Sequence, residues 1–254
     1  DGVRHTAPSS WADQWSLYCP PDGGMLADNI EGRAVESLRT LVKTLFSTGG
    51  EGDTQVQVYG SWAEGVALKH SDVDTSLSNK VIRDQAASSS TDPKFLRELR
   101  SELSSHPNFS VEEAIFNIRT PVLRLLYSEN RSGDETPSKS NDCNRLVAKV
   151  DVTQGNSVAV QKSCVLSAHI RMNPGSADAI RMVKEFTKSR SVYGKLQGFP
   201  SGFGYAISVL YCCSLFESTS APKTPWDIFA AWLDFFGSSG KCGNSKVDVG
   251  FDWQ

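Results

Sequence analysis

The stretch that decides the fold is Gly60-Ser61-Trp62-Ala63-Glu64-Gly65-Val66-Ala67-Leu68-Lys69-His70-Ser71-Asp72-Val73-Asp74. Two aspartates separated by one residue on a strand project to the same face, so both carboxylates reach a common pair of divalent cations. Hard oxygen donors at that spacing suit Mg²⁺. Upstream, Gln55-Val56-Gln57-Val58-Tyr59 alternates like a half-buried strand and runs directly into Gly60-Ser61. A glycine-serine pair at a strand-to-helix junction offers backbone N–H groups, a hydroxyl and a helix N-terminus to a polyphosphate. A third carboxylate on a neighbouring strand completes a two-metal site, and Asp151, closing the apolar run Leu146 to Val152, is placed to supply it. Taken alone, an Asp-x-Asp pair is most often a solvated turn. Its conjunction with the Gly-Ser turn, flanking strands and a strand-borne downstream aspartate is what carries the functional reading.

Outward from this stretch, the periodicity divides the chain. Leu26, Ile30, Ala34, Leu38, Leu41, Val42 and Leu45 recur at helical spacing, predicting an amphipathic helix over Met25 to Phe46. Leu68 to Leu77 reads as a turn feeding a strand, Pro93 to Leu103 as a helix, and Ala114 to Tyr127 as one or two strands. Glu129 to Asn144 is a polar loop bearing Ser, Asp, Lys and Pro. Beyond Val152 the pattern turns helical over Val158–Ile170, Ala177–Ser189, Gly204–Phe216 and Trp226–Phe236. The expected organisation is an α+β catalytic domain over residues 25–152, with a mixed sheet and flanking helices. A helical domain over 153–254 follows, with 1–24 packing against it and the active site in the cleft between the two domains.

Composition excludes several function classes. The 254 residues hold 26 Lys and Arg against 29 Asp and Glu, a formal net charge of −3. That balance argues against a protein that coats nucleic acid by bulk electrostatics, so any nucleic-acid contact is local. The six cysteines form no array at zinc-ligand spacing and read as reduced thiols. No apolar run approaches the roughly 18 residues of a membrane span, and Asp1 to Ser10 has no signal-peptide core.

The quoted stretch resembles the G-S-(x)n-G-(x)n-D-h-D signature of DNA polymerase β-like nucleotidyltransferases. More narrowly it is similar to the terminal uridylyltransferases and non-canonical poly(A) polymerases, especially the small trypanosomatid uridylyltransferases. Ile118 to Leu123 resembles the family's strand before the third aspartate, and Val150-Asp151-Val152 the third-carboxylate strand. The resemblance implies a polymerase β-like catalytic domain with a PAP-associated-like helical domain. It implies two Mg²⁺ ions, with Mn²⁺ able to substitute, held by Asp72, Asp74 and Asp151. It places Gly60, Ser61, Lys184 and Lys188 at the triphosphate, Lys162 and Ser163 at the nucleoside sugar and base, Phe203 as the stacking aromatic, and Asp234 in the base-recognition motif.

Three departures bear on the base. The family's asparagine is Lys162 here, its triphosphate serine is Gly202, and its second acidic base-recognition residue is Gly237. The interval from Phe203 to Asp234 is also shorter than usual. The implied activity is addition of UMP from UTP to an RNA 3′ end, with partners in an RNA-processing complex. The implied location is the mitochondrial matrix for the trypanosomatid branch and the cytoplasm otherwise. A poly(A) polymerase using ATP is the alternative enzyme, and a catalytically inactive RNA-binding paralogue the alternative of another class. Arg119 and Arg124 face RNA or flank a strand on its wet side. His70 and His169 read as structural or surface residues, because this chemistry rests on metals and carboxylates.

Overall fold

A computed structural model describes residues 29–46, 53–82, 92–130, 145–194, 198–215 and 224–237. The elements in chain order are α1 (Ile30–Phe46), β1 (Gln55–Tyr59), the one-turn α2 (Gly60–Ala63), β2 (Val73–Ser78), α3 (Lys94–Leu103), β3 (Phe109–Ile115), β4 (Val122–Asn130) and β5 (Arg145–Gln154). They continue with α4 (Ser157–Met172), α5 (Ser176–Ser189), α6 (Gly202–Leu215) and α7 (Pro225–Gly237). Expectations for 1–28 and for 131–144 lie outside the described residues.

Five strands form one mixed sheet in the order β1-β2-β5-β4-β3. β1 pairs antiparallel with β2, β2 parallel with β5, and β4 antiparallel with both β5 and β3. The parallel β2–β5 pair requires a crossover, supplied by α3, β3 and β4. One sheet face is apolar: Val56, Val73, Leu77, Leu123, Leu125, Val150 and Val152 are buried against Val35, Leu38 and Val42 of α1 and Phe95, Leu96, Leu99 and Leu103 of α3. Each such fully buried side chain contributes roughly 1.5–3 kcal/mol of transfer free energy. Asp74 and Asp151 alternate with these buried residues along β2 and β5, so the core on one face sets the carboxylates on the other.

The described residues divide into two compact units, one within Asp1–Gly65 and Lys69–Cys164, the other within Val66–Leu68 and Val165–Gln254. The division falls inside α4, not after residue 152 as the change in sequence pattern predicts. The reason is that the first half of α4 bonds to the sheet unit through Ser163, while Leu166 and Ile170 join the second core. That core gathers Ile180, Val183, Tyr205, Val209, Ile228 and Trp232 from α5, α6 and α7, together with Val66. Cys164, Cys212 and Cys213 are buried thiols outside any disulfide, and burial pushes the Cys212 thiol up to about 12. Among the described residues no helix is long and apolar enough to cross a membrane.

Candidate active site

The parallel pairing of β2 with β5 sets Asp74 opposite Asp151, two residues drawn from distant parts of the chain. Asp72 lies just before β2 and is exposed. The pairing is cross-linked below the carboxylates, where Thr75 Oγ1 donates to Asp151 O (3.2 Å) and Thr153 Oγ1 donates to Thr75 O (2.9 Å).

Gly60 closes in on the same place. It has φ +70°, a conformation that L side chains rarely adopt, and a Cβ built there would collide with Asp74 Oδ2. Glycine is therefore required twice over: for the turn and for the approach of backbone to carboxylate. Ser61 follows on the single turn of α2 and is half-buried. Trp62 Nε1 donates to Ser71 O (3.0 Å), tying the turn to the residue before Asp72.

Electrostatics couple these groups. Burial holds the Asp151 carboxyl above the ordinary range, Arg124 opposes the shift, and the charge of Asp72 adds to it. Arg124 Nε stands 3.6 Å from Asp151 Oδ2 and its Nη1 donates to Glu113. Tyr59, in register with Asp74, accepts from Asn156 Nδ2 (3.2 Å). Burial first, and then the charges of Asp74 and Asp151, raise its pKa. A charged carboxylate in this setting gains from a hard cation. Among the described residues no three His, Cys, Asp or Glu side chains stand together as an ion's ligand set. The three residues are nonetheless the hard oxygen donors that Mg²⁺ takes, two of them paired in register and the third felt electrostatically by Asp151.

The other expected residues divide between the two units. Lys162 is exposed on α4, whereas its neighbour Ser163 is 3% exposed and turned inward. Ser163 Oγ accepts from Gly60 N (2.7 Å) and donates to Glu64 Oε1 (2.9 Å), so the structure shows it engaged with the turn. Within the second unit, Lys184 is only 4% exposed and its Nζ donates to Val66 O (3.2 Å). Lys188, one turn further along α5, is exposed, with Nζ 5.3 Å from the centre of the Tyr193 ring. A Cβ at Gly202 would collide with the Tyr193 hydroxyl. Phe203 is half-buried against the second core, and Asp234 is exposed on α7. His70 and His169 are exposed, as is Arg119.

Tyr59 and Glu64 carry no role in the sequence analysis, and Arg124, expected there to face RNA or to flank its strand on the wet side, is instead beside Asp151. The alternation of β1 already places Tyr59 beside the turn. Nothing local marks Glu64 or the Arg124–Asp151 pair, which depend on non-local pairing.

Paired-strand carboxylates behind a glycine-serine turn, on a mixed sheet backed by two helices, define a polymerase β-like nucleotidyltransferase fold. The profile of the family described as "Poly(A) RNA polymerase, mitochondrial-like, central palm domain" matches residues 28–171, and the chain belongs to that family. That palm domain groups the chain with proteins named poly(A) RNA polymerase and terminal uridylyltransferase.

The terminal uridylyltransferase cid1 of Schizosaccharomyces pombe (strain 972 / ATCC 24843) is 25% identical over 179 residues, covering 70% of this chain and 38% of the relative. Terminal uridylyltransferase 7 of Homo sapiens is 24% identical over 258 residues, covering 95% of this chain and 16% of the relative. The chain thus spans well under half the length of the curated relatives it matches. Among solved structures, Cid1 in complex with the UTP analogue UMPNPP has a TM-score of 0.58 at 15% identity, covering 91% of this chain and 74% of that one. A cytoplasmic RNA terminal U-transferase has a TM-score of 0.58 at 17% identity, covering 89% and 72%. These likenesses establish the fold.

Proposed function

We propose that this chain carries the catalytic machinery of a template-independent RNA 3′-terminal uridylyltransferase. The observation that carries the reading is the in-register pair Asp74 and Asp151, with Gly60 closed against the Asp74 carboxylate. Support for UTP and for an RNA 3′ end comes from the relatives, both named terminal uridylyltransferases, and from Cid1, solved with a UTP analogue and with its short product ApU. Cid1 has also been solved with MgATP and MgGTP, which supports Mg²⁺ as the metal.

In this reading Asp72, Asp74 and Asp151 hold the metal. Two bound Mg²⁺ ions would lower the pKa of the RNA 3′-OH and neutralise charge on the departing pyrophosphate. The Gly60–Ser61 turn would offer the Ser61 N–H and hydroxyl to the triphosphate, the Gly60 N–H being held by Ser163. The resemblance assigns the exposed Lys188 to the outer phosphates and Phe203 to stacking on uracil, whereas Lys184, which it also assigns to the triphosphate, is turned inward to Val66 O. Asp234 accepts from uracil N3–H, a donor that adenine lacks at the corresponding edge. The adenylyl reading draws on the family's description as a poly(A) polymerase palm and on the glycines at 202 and 237.

The test incubates the protein with a short RNA and each of the four NTPs in Mg²⁺. UTP should give the most extension, and Asp72→Ala, Asp74→Ala and Asp151→Ala should each abolish it while circular dichroism stays native. Better extension with ATP would replace uridylyl by adenylyl transfer. Robust extension by the Asp151→Ala protein would remove the third carboxylate from the mechanism.

A further inference from the structure

The resemblance places Ser163 at the nucleoside, but its surroundings assign it elsewhere. The residue is 3% exposed, and its hydroxyl accepts the Gly60 N–H at 2.7 Å and sends its own proton to Glu64 Oε1 at 2.9 Å. Glu64 is itself 7% exposed, and its backbone N–H returns to Gly60 O at 3.0 Å. The three contacts close a ring: Gly60 N–H to Ser163, Ser163 to the Glu64 carboxylate, and Glu64 N–H back to Gly60 O. A serine has one proton. Once its oxygen accepts from an amide, that proton needs an acceptor of its own, and a carboxylate is the strongest available. Both peptide groups flanking the Gly60 Cα are thereby held, and the residue they hold is the one with φ +70° and no room for a Cβ beside Asp74 Oδ2.

We propose that Glu64 and Ser163 are positioning residues that hold the Gly60–Ser61 turn against the Asp74 carboxylate, serving the metal side of the reaction and taking no part in the choice of base. The inference rests on the transferase reading above. Rotation of the Gly60 peptide would carry backbone into or away from Asp74, and misplacement on the ångström scale is enough to lose a productive geometry. Buried hydrogen-bonded rings of this kind also specify one backbone arrangement, since each member left unpaired is costly.

The experiment compares the chain with Ser163→Ala, Ser163→Thr, Glu64→Ala and Glu64→Gln. Hydrogen exchange at the Gly60 amide reports the clamp without reference to metal or activity: slow in wild type, Ser163→Thr and Glu64→Gln, fast in the two alanine variants. Calorimetric UTP binding in Mg²⁺ and in EDTA separates the metal side from the nucleoside. The alanine variants should lose roughly tenfold of the Mg²⁺-dependent gain in affinity, the scale of one lost hydrogen bond. Binding in EDTA and the UTP-to-ATP ratio should stay where they were.

Thr retains the hydroxyl and Gln retains a carbonyl acceptor, so both should restore the wild-type pattern, which a purely volumetric effect would not. If Ser163→Ala does not fold, the Glu64 pair carries the same comparison. Equal weakening in Mg²⁺ and EDTA, a shift in UTP-to-ATP preference, or unchanged behaviour in the alanine variants would each overturn the proposal. A wild-type chain that extends RNA with no nucleotide removes the transferase reading and this role with it. Slow exchange at Gly60 would then remain as a structural fact, which keeps the two failures apart.

Discussion

At Gly60 a backbone requirement and a chemical one fall on the same atom. The left-handed φ alone costs an alanine about 1–2 kcal/mol, and the collision of its Cβ with Asp74 Oδ2 forces either the turn or the carboxylate to move. Gly60→Ala should therefore lower Tm and reduce RNA extension by roughly a hundredfold, the effect of ångström-scale misplacement. Extension rates alongside thermal melts check this, and near-normal extension would mean that Asp74 tolerates displacement. The Gly-Ser pair is legible in the sequence as a phosphate-binding turn. Its contact with Asp74 is not, because fourteen residues and a chain reversal separate the two.

Along α5, two lysines one turn apart occupy different environments. Ile180 and Val183 are fully buried, and the same packing carries Lys184 inward to Val66 O, while Lys188 remains exposed beside Tyr193. Lys184→Ala should cost about 1–3 kcal/mol of stability, since it leaves a carbonyl without its partner. Lys188→Ala should leave Tm within about 1 °C of wild type. Lys188→Ala should also weaken use of all four NTPs alike, because a point charge meets phosphate and not base. Steady-state kinetics with each NTP provide the measurement, and an altered NTP preference would sink the triphosphate role. Helical spacing alone makes this lysine pair a solvated face. The strands show a similar limit: β1 keeps the bounds Gln55–Tyr59 that its alternation gives, whereas β3 begins at Phe109, five residues before the predicted strand. A register shift between Val111 and Glu113, with exposed Glu112 and Glu113, breaks its period.

For the molecule as a whole, charge governs RNA affinity and the acid limit of stability. With a net charge of −3, free RNA should bind this chain weakly and with a shallow salt dependence, because few phosphates are neutralised. Filter binding across a salt series would expose an unrecognised basic surface as tight, steeply salt-sensitive binding. On the sheet unit, Tyr127 hydrogen-bonds Glu129, and Arg33 Nε of α1 donates to the same carboxylate (2.8 Å). The Tyr127 hydroxyl first, and then Arg33, hold the Glu129 carboxyl below its ordinary range, while burial and Glu129 hold Tyr127 up to about 12. The Glu129 contribution is thus present above the unfolded carboxyl pKa of about 4.3 and is lost as pH falls through the lower folded value. The Tyr127 contribution is lost only as pH rises through about 12. Glu129→Gln should lower stability at neutral pH by about 1 kcal/mol and flatten the acid limb. Urea midpoints measured between about pH 3 and 8 would show parallel acid limbs if the pairing contributes nothing.

By itself the sequence determined the α+β character, the places of most helices and strands, and the three aspartates in chain order. Those features rest on short-range regularities: the two-residue period of Gln55 to Tyr59, the helical period of Ile30 to Leu45, and the one-residue spacing of Asp72 and Asp74. Only the tertiary structure decided that Asp151 lies in register with Asp74 and that Gly60 presses on the Asp74 carboxylate. It also decided that Ser163 joins Glu64 on the turn and that Lys184 is buried. The physical reason is that a buried hydroxyl, ammonium or carboxylate takes whichever partner the packed backbone brings within hydrogen-bond reach. That partner is chosen by strand order and core packing across about a hundred residues, not by its neighbours in the chain.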